Sequence, residues 1–188
     1  MRRASSFACA AAAIVACGCG NQQAEPPDVS LPAHPVGTTP AFFGQQGMRL
    51  GVPGGWHLYH GTAPLVATVQ SGTATIAVWR YPRSEPLPKT AAQLTQARDL
   101  LLQTAKARDE TFKEAKTAIT KLGGHPAIQV RGTETISGQP RTVRSTHVYA
   151  FGAEVVVDAF APADVFGRVD RDAFGPLLRS LRLHSPSS

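Results

Sequence analysis

All three cysteines of the chain, Cys9, Cys17 and Cys19, fall before residue 20. The body beyond them can close no disulfide of its own. Its fold must therefore rest on a buried apolar core and backbone hydrogen bonds. With 188 residues, 43% of them hydrophobic, the chain has single-domain length and the material for such a core. The segment that carries the cysteines has a different character. Arg2 and Arg3 make a positive start, and Phe7 to Ala16 is an apolar run. That run has the length of the central region of a secretory signal. It is shorter than the roughly 20 apolar residues that cross a bilayer.

The stretch Ile14-Val15-Ala16-Cys17 sets an aliphatic, a branched and a small residue directly before a cysteine, with Gly18 next. It resembles the lipobox of bacterial lipoproteins. The resemblance implies that residues 1–16 are a lipoprotein signal peptide and that Cys17 is the lipidation residue. The Cys17 thiol would receive a diacylglycerol before cleavage, and the freed amine a further acyl chain such as palmitate. The chain is then expected on the extracytoplasmic face of the bacterial cell membrane, with the membrane as partner through the Cys17 anchor. Each buried methylene contributes about 0.8 kcal/mol, and two or more chains hold firmly where one is marginal. A metal site at Cys17-x-Cys19 lacks further ligands, so no metal and no cofactor is expected.

Residues 17–41 read as a flexible Pro-rich linker, with Pro26, Pro27, Pro32, Pro35 and Pro40 among small and polar residues. Prolines at this density favour extended chain and forbid regular helix. At ~3 Å per residue the spacer could lift the body some tens of ångströms from a membrane. The net charge of +6 becomes +4 once Arg2 and Arg3 are removed. This mild basic excess favours anionic lipid heads or wall polymers. No dense Lys/Arg block interleaved with aromatics occurs, so no nucleic-acid partner is expected.

Residues 42–184 form the predicted domain, and 185–188 a disordered tail. Gln45–Val52 alternates as a strand, Pro53-Gly54-Gly55 breaks it, and Trp56–Tyr59 is a second extended piece. Ala63–Gln70 and Thr73–Arg80 read as a hairpin turning at Ser71-Gly72. Thr90 with Gln93 three residues on forms a capping box that opens a helix to about Ala107 or Asp109. Leu94, Ala97, Leu101, Thr104 and Ala105 give that helix one face, while Asp99, Asp109 and Glu110 read as its solvated face. Phe112–Leu122 reads as a strand ended by Gly123-Gly124. A second hairpin, Ala127–Thr135 with Arg141–Ala150, turns at Ser137-Gly138. Glu154–Phe160, apolar on both faces through Val155-Val156-Val157, reads as a central strand. A last helix is expected over Asp172–Leu183 on the stripe Phe174, Leu177, Leu178, Leu181. The order predicts an α+β domain, an antiparallel sheet sandwiched by helices.

Pro53-Gly54-Gly55-Trp56, one long helix, Leu122-Gly123-Gly124-His125-Pro126-Ala127 leading into a long hairpin, and a closing helix with Leu178-Arg179-Ser180-Leu181 together resemble the Mog1/PsbP-like fold. In particular the pattern is similar to the LpqN-type lipoproteins of actinobacteria. The resemblance spans about Phe42 to Leu183 and implies an α/β/α sandwich with a binding or accessory role. It supplies no catalytic residues.

Candidate sites follow from spacing. His57 and His60 alternate to opposite faces of a strand and do not converge on a metal. Trp56 and Trp79 read as core or sheet-rim packing, and His147 as a hydrogen-bonded core histidine. Neither a Gly-x-Ser-x-Gly elbow nor a phosphate-binding Gly-x-x-x-x-Gly-Lys loop occurs. A two-residue turn at Ser137-Gly138 sets Thr133 opposite Thr142, Arg131 opposite Arg144, Gln129 opposite Thr146 and Glu134 opposite Arg141. Two facing arginines repel each other, so Arg131 and Arg144 are the candidate anion-binding pair. The expected protein is a monomeric, non-enzymatic binding or accessory module of the cell envelope. Its partner would be an envelope protein, a lipid or an anionic polymer. The alternatives are a hydrolase-like envelope enzyme with no visible motif and a purely structural tethered domain. A nucleophile beside His57, His60 or His147 in a pocket would favour the enzyme, and a groove between helix and sheet the binder.

Overall fold

The computed structural model describes residues 28–187. The signal segment 1–16 and Cys17 lie outside the described residues. The main sheet has seven antiparallel strands in the order β3 (His57–His60), β4 (Leu65–Ser71), β5 (Ala74–Pro82), β9 (Ala153–Ala161), β8 (Gln139–Ala150), β7 (His125–Ile136), β6 (Lys113–Leu122). A three-stranded sheet joins β1 (Thr38–Phe43), β2 (Met48–Pro53) and β10 (Arg182–Leu183). Helix α1 (Ala91–Arg108) packs over β6 and β7 on one face of the main sheet. Helices α2 (Ala163–Val169) and α3 (Gly175–Ser180) lie with the small sheet on the other face. The expected α+β architecture, an antiparallel sheet between helical layers, is the observed one.

Strand alternation divides the apolar residues between the two faces. Val148, Val155, Val157 and Ala159 join Met48, Leu50, Phe174 and Leu177 in the larger core. Ile128, Val130 and Tyr149 point the other way and pack with Leu94 and Phe112 beneath α1. Val155 and Val157 are both buried, as is Val156 between them, because β9 is covered on both sides.

Local chemistry explains α1. The Thr90 hydroxyl accepts the Gln93 N–H, and the Gln93 side chain accepts the Thr90 N–H, closing the predicted box. Such a cap contributes about 1 kcal/mol. The far end is tied as well. Asp109 accepts the Thr135 N–H of β7 at 2.7 Å, fastening the helix terminus to the sheet. Thr135 and Thr111 hydrogen bonds hold the Asp109 carboxyl below its ordinary range, so it is more than a solvated helix face.

Five expectations are corrected. The first hairpin turns at Gly72-Thr73, because Ser71 pairs with Ala74. The Pro-rich segment is docked from Ser30 onward: the Thr73 N–H donates to the Ser30 carbonyl at 2.8 Å, and the Ala33 N–H to Ser71 Oγ at 2.8 Å. Gly72 makes room for it, since a Cβ there would fall 2.3 Å from the Ser30 oxygen. Thr38–Phe43 then pairs with β2, so the domain begins before residue 42. Pro40 is tolerated because β1 is an edge strand, where a missing N–H breaks no ladder.

The tail is corrected too: the Ser187 N–H donates to the Gly44 carbonyl at 3.0 Å and the His184 N–H to that of Gly47 at 2.8 Å. Finally, the last helical stretch starts at Ala163, ten or so residues earlier than expected, and stops at Ser180. Gly167, Gly175 and Pro176 lower its local propensity, but Val165, Phe166 and Val169 are buried on the core and outweigh it. A π-helical turn at Asp170–Phe174, with the Gly175 N–H reaching the Asp170 carbonyl, lets the helix pass Pro176, which has no N–H to give.

Candidate functional site

The second hairpin has the predicted register: Arg131 faces Arg144, Thr133 faces Thr142, Gln129 faces Thr146 and Glu134 faces Arg141. The anion between the two guanidiniums comes from the chain itself. Asp170 Oδ2 accepts from Arg131 at 2.7 Å and Asp170 Oδ1 from Arg144 at 2.6 Å. Arg144 also donates to Gln129 Oε1 at 3.0 Å and lies over the Phe174 ring, 5.2 Å from its centroid. Arg131 and Arg144 thus clamp the π-helical turn to the sheet, which corrects the expectation that they await an external anion.

The remaining expected residues separate. His57 and His60 are exposed on edge strand β3, with the His60 ring 5.5 Å from that of Phe43. Trp56 is buried and donates from Nε1 to the Ala33 carbonyl at 3.1 Å. Trp79 is half-buried and stacks on Tyr81 with ring centroids 6.4 Å apart.

His147 stands in the middle of the most developed polar cluster. It lies on the α1-facing side of β8, two residues after Ser145, so both side chains emerge together. Opposite them on β9, Asp158 pairs with Ser145 and Val156 with His147, and Glu154 follows one pleat on. His147 Nδ1 is 2.7 Å from Glu154 Oε1, and His147 Nε2 is 2.9 Å from Ser145 Oγ. Ser145 Oγ is also hydrogen-bonded to Asp158 Oδ1, and Arg83 donates to Glu154 Oε2. The result is one row, Arg83–Glu154–His147–Ser145–Asp158, along the sheet.

Charge in that row is set by opposing effects. Burial pushes the Glu154 carboxyl up, but hydrogen bonds from His147 and Arg83, with their charges, hold it below its ordinary value. Burial pushes Asp158 up, and there the Ser145 hydrogen bond and the charges of His147 and Arg108 do not compensate. Tyr81 and Tyr149 are both raised, chiefly by burial and then by the neighbouring carboxylates.

This row floors a groove of about 470 Å³ between α1 and the sheet. Leu101 and Ala105 of α1 form one wall; Val143, Val156 and Phe160 form the apolar sheet surface around the row. Arg108, paired with Glu134 at 2.9 Å, stands at the rim. A second chamber of about 380 Å³ shares Arg83, Leu101 and Glu154 with the first and runs on past Leu87 and Leu100. Among the described residues no cluster of three or more His, Cys, Asp or Glu is arranged to hold a metal, and no helix is long and apolar enough to cross a membrane.

Spacing in the sequence singles out His147 but neither Ser145 nor Glu154. A signal was available: Ser145-x-His147 places both side chains on one strand face. The Phe151-Gly152 turn, once recognised as two residues long, puts Glu154 and Asp158 beside them.

The fold is that of the PsbP-like proteins, an α+β class of domain. The cyanobacterial PsbP protein CyanoP of Synechocystis sp. PCC 6803 superposes with a TM-score of 0.61 at 12% identity, covering 79% of this chain and 93% of that one. LpqN, involved in cell envelope biogenesis of Mycobacterium tuberculosis, has a TM-score of 0.53 at 20% identity, covering 78% and 84%. PA94 of Pseudomonas aeruginosa has a TM-score of 0.52 at 12% identity, covering 81% and 100%. No protein-family model matches the chain, and no curated protein matches it in sequence.

Proposed function

We propose that this chain is a lipid-anchored, extracytoplasmic binding or accessory protein of the bacterial cell envelope, and that the groove beneath α1 takes the apolar part of an amphiphile. The observation that carries the reading is the groove itself. Its walls are apolar, its volume of about 470 Å³ is that of small-molecule sites, and it continues into a second chamber. A long alkyl chain fits such a path, and the polar row on the floor suits a hydrogen-bonding head. An envelope setting is supported by the signal-like start, by Cys17 and by the shared fold with LpqN.

Two measurements test it. In bacteria fed an alkyne-tagged palmitate, the full chain should incorporate the tag and Cys17→Ala should not; label retained by Cys17→Ala overturns the anchor. In solution, a fluorescent long-chain fatty acid should bind saturably, and Leu101→Trp and Ala105→Trp should each weaken it at least tenfold by filling the groove. Uptake that never saturates, or that both substitutions leave unchanged, overturns the amphiphile reading.

A further inference from the structure

We propose that Ser145, His147 and Glu154 form a nucleophile–base–carboxylate triad that cleaves carboxylic esters in the groove beneath α1. The proposal shares the groove of the preceding section but does not require a long chain in it, because a small ester reaches Ser145 as well.

The geometry is that of serine nucleophile activation. The base nitrogen Nε2 of His147 is 2.9 Å from Ser145 Oγ, and its other nitrogen Nδ1 is 2.7 Å from Glu154 Oε1. With the ring hydrogen on Nδ1, donated to Glu154, Nε2 is left as an acceptor aimed at the Ser145 hydroxyl. Glu154 is itself fixed from behind by Arg83, so the imidazole has little freedom to turn. Triads are recognised by these roles and distances, and their order along the chain differs between folds. Here the order is Ser, His, Glu, and two of the three members come from one strand.

The groups facing the nucleophile complete the chemistry. Tyr81 and Arg83 approach from the β5 side, Arg108 from the end of α1, Glu134 from β7, and Asp158 from β9. Asp158 decides whether Ser145 is free. An ionised Asp158 accepts the Ser145 hydrogen and withholds it from His147. A neutral Asp158 donates to Ser145 Oγ instead, and the serine hydrogen turns to Nε2. Burial favours that neutral state. Arg108 is 69% exposed at its side chain and close enough for its charge to act on Asp158. Paired with Glu134, it is a cation at the rim of the groove.

The steps balance with water as co-reactant. Ser145 Oγ attacks the ester carbonyl carbon as its proton passes to His147 Nε2, and the carbonyl π pair moves onto oxygen. That pair returns as the C–O bond to the alcohol breaks, and the alcohol leaves with the proton from Nε2. Water then attacks the acyl–serine carbonyl, giving one proton to Nε2. Collapse releases the carboxylic acid and returns the proton to Ser145 Oγ.

The test uses the full chain carrying Cys17→Ser, so that it is purified without lipid. A fluorophosphonate probe should add one equivalent to the folded protein, located on Ser145 by peptide mass spectrometry, and none to the urea-unfolded chain. p-Nitrophenyl butyrate should be hydrolysed, with Ser145→Ala at least 100-fold slower. Glu154→Gln, a positioning change, should lower kcat at unchanged KM and move the ascending limb of the pH–rate profile to lower pH. Asp158→Asn, whose amide can still donate to Ser145 Oγ, should retain ester hydrolysis. A folded parent that leaves Ser145 unlabelled and hydrolyses the ester no faster than Ser145→Ala would falsify the triad, whatever the fatty-acid titration shows. Saturable fatty-acid binding with an inert Ser145 overturns this proposal and leaves the binding reading standing.

Discussion

Asp170→Ala is expected to lower the free energy of unfolding by about 3 kcal/mol, the range found when one partner of a buried ion pair is removed. Asp170 is the only carboxylate among the described residues that bridges two arginines. Without it Arg131 and Arg144 face each other across the β7–β8 ladder as like charges. The two ends of the clamp are unequal. Arg144 is 15% exposed at its side chain, and its buried Nε has no partner among the described residues, so little of its charge reaches water. Arg131 is 40% exposed and can turn outward, so its half of the clamp contributes less. Denaturant unfolding should show a lower midpoint at unchanged slope. Arg144→Met added to Asp170→Ala should recover part of the loss, because the stranded charge is what costs most. A loss below about 1 kcal/mol would show that Arg144 escapes to solvent.

Phe174→Ala should cost about 4 kcal/mol, within the range for deleting a buried aromatic ring. Phe174 is wholly buried and heads the fully buried side chains by volume. It closes the π-helical turn, packs in the core with Leu177 and Met48, and offers its ring face to Arg144 at 5.2 Å. The substitution therefore opens a cavity and removes the surface against which Arg144 is held. For that reason Phe174→Ala and Asp170→Ala should not be additive: they share Arg144, and residues in one network couple by about 0.5–3 kcal/mol. Additivity within about 0.3 kcal/mol would mean that the ring and the clamp act separately.

Several elements were legible because short-range chemistry specifies them. Thr90 and Gln93 lie within one turn, and the cap they form is the same whatever the helix later packs against. Ser137-Gly138 sets the register of the whole β7–β8 ladder, since a two-residue turn leaves no other pairing and both residues take the left-handed conformation it needs. The facing of Arg131 and Arg144 followed from that turn. The segment 30–43 was not legible, because its prolines describe a local preference while its hydrogen bonds go to residues 48–56 and 71–73, outside the segment. The helix at Ala163–Val169 was hidden for the same reason: its glycine weakens the pattern, and only the core it covers makes it helical.

The candidate site divides along the same line. Strand alternation alone places Ser145 beside His147. That Glu154 and Asp158 join them depends on how β9 folds back on β8, and that the row lies in a groove depends on where α1 comes to rest. Turn lengths, caps and alternation are settled by residues a few positions apart, so the register of the second hairpin and the start of α1 were determined by the sequence alone. The ion between two arginines, the docking of the Pro-rich arm and the assembly of the polar row required the tertiary structure. Each depends on burial between surfaces distant in the chain, where packing energy overrides local preference.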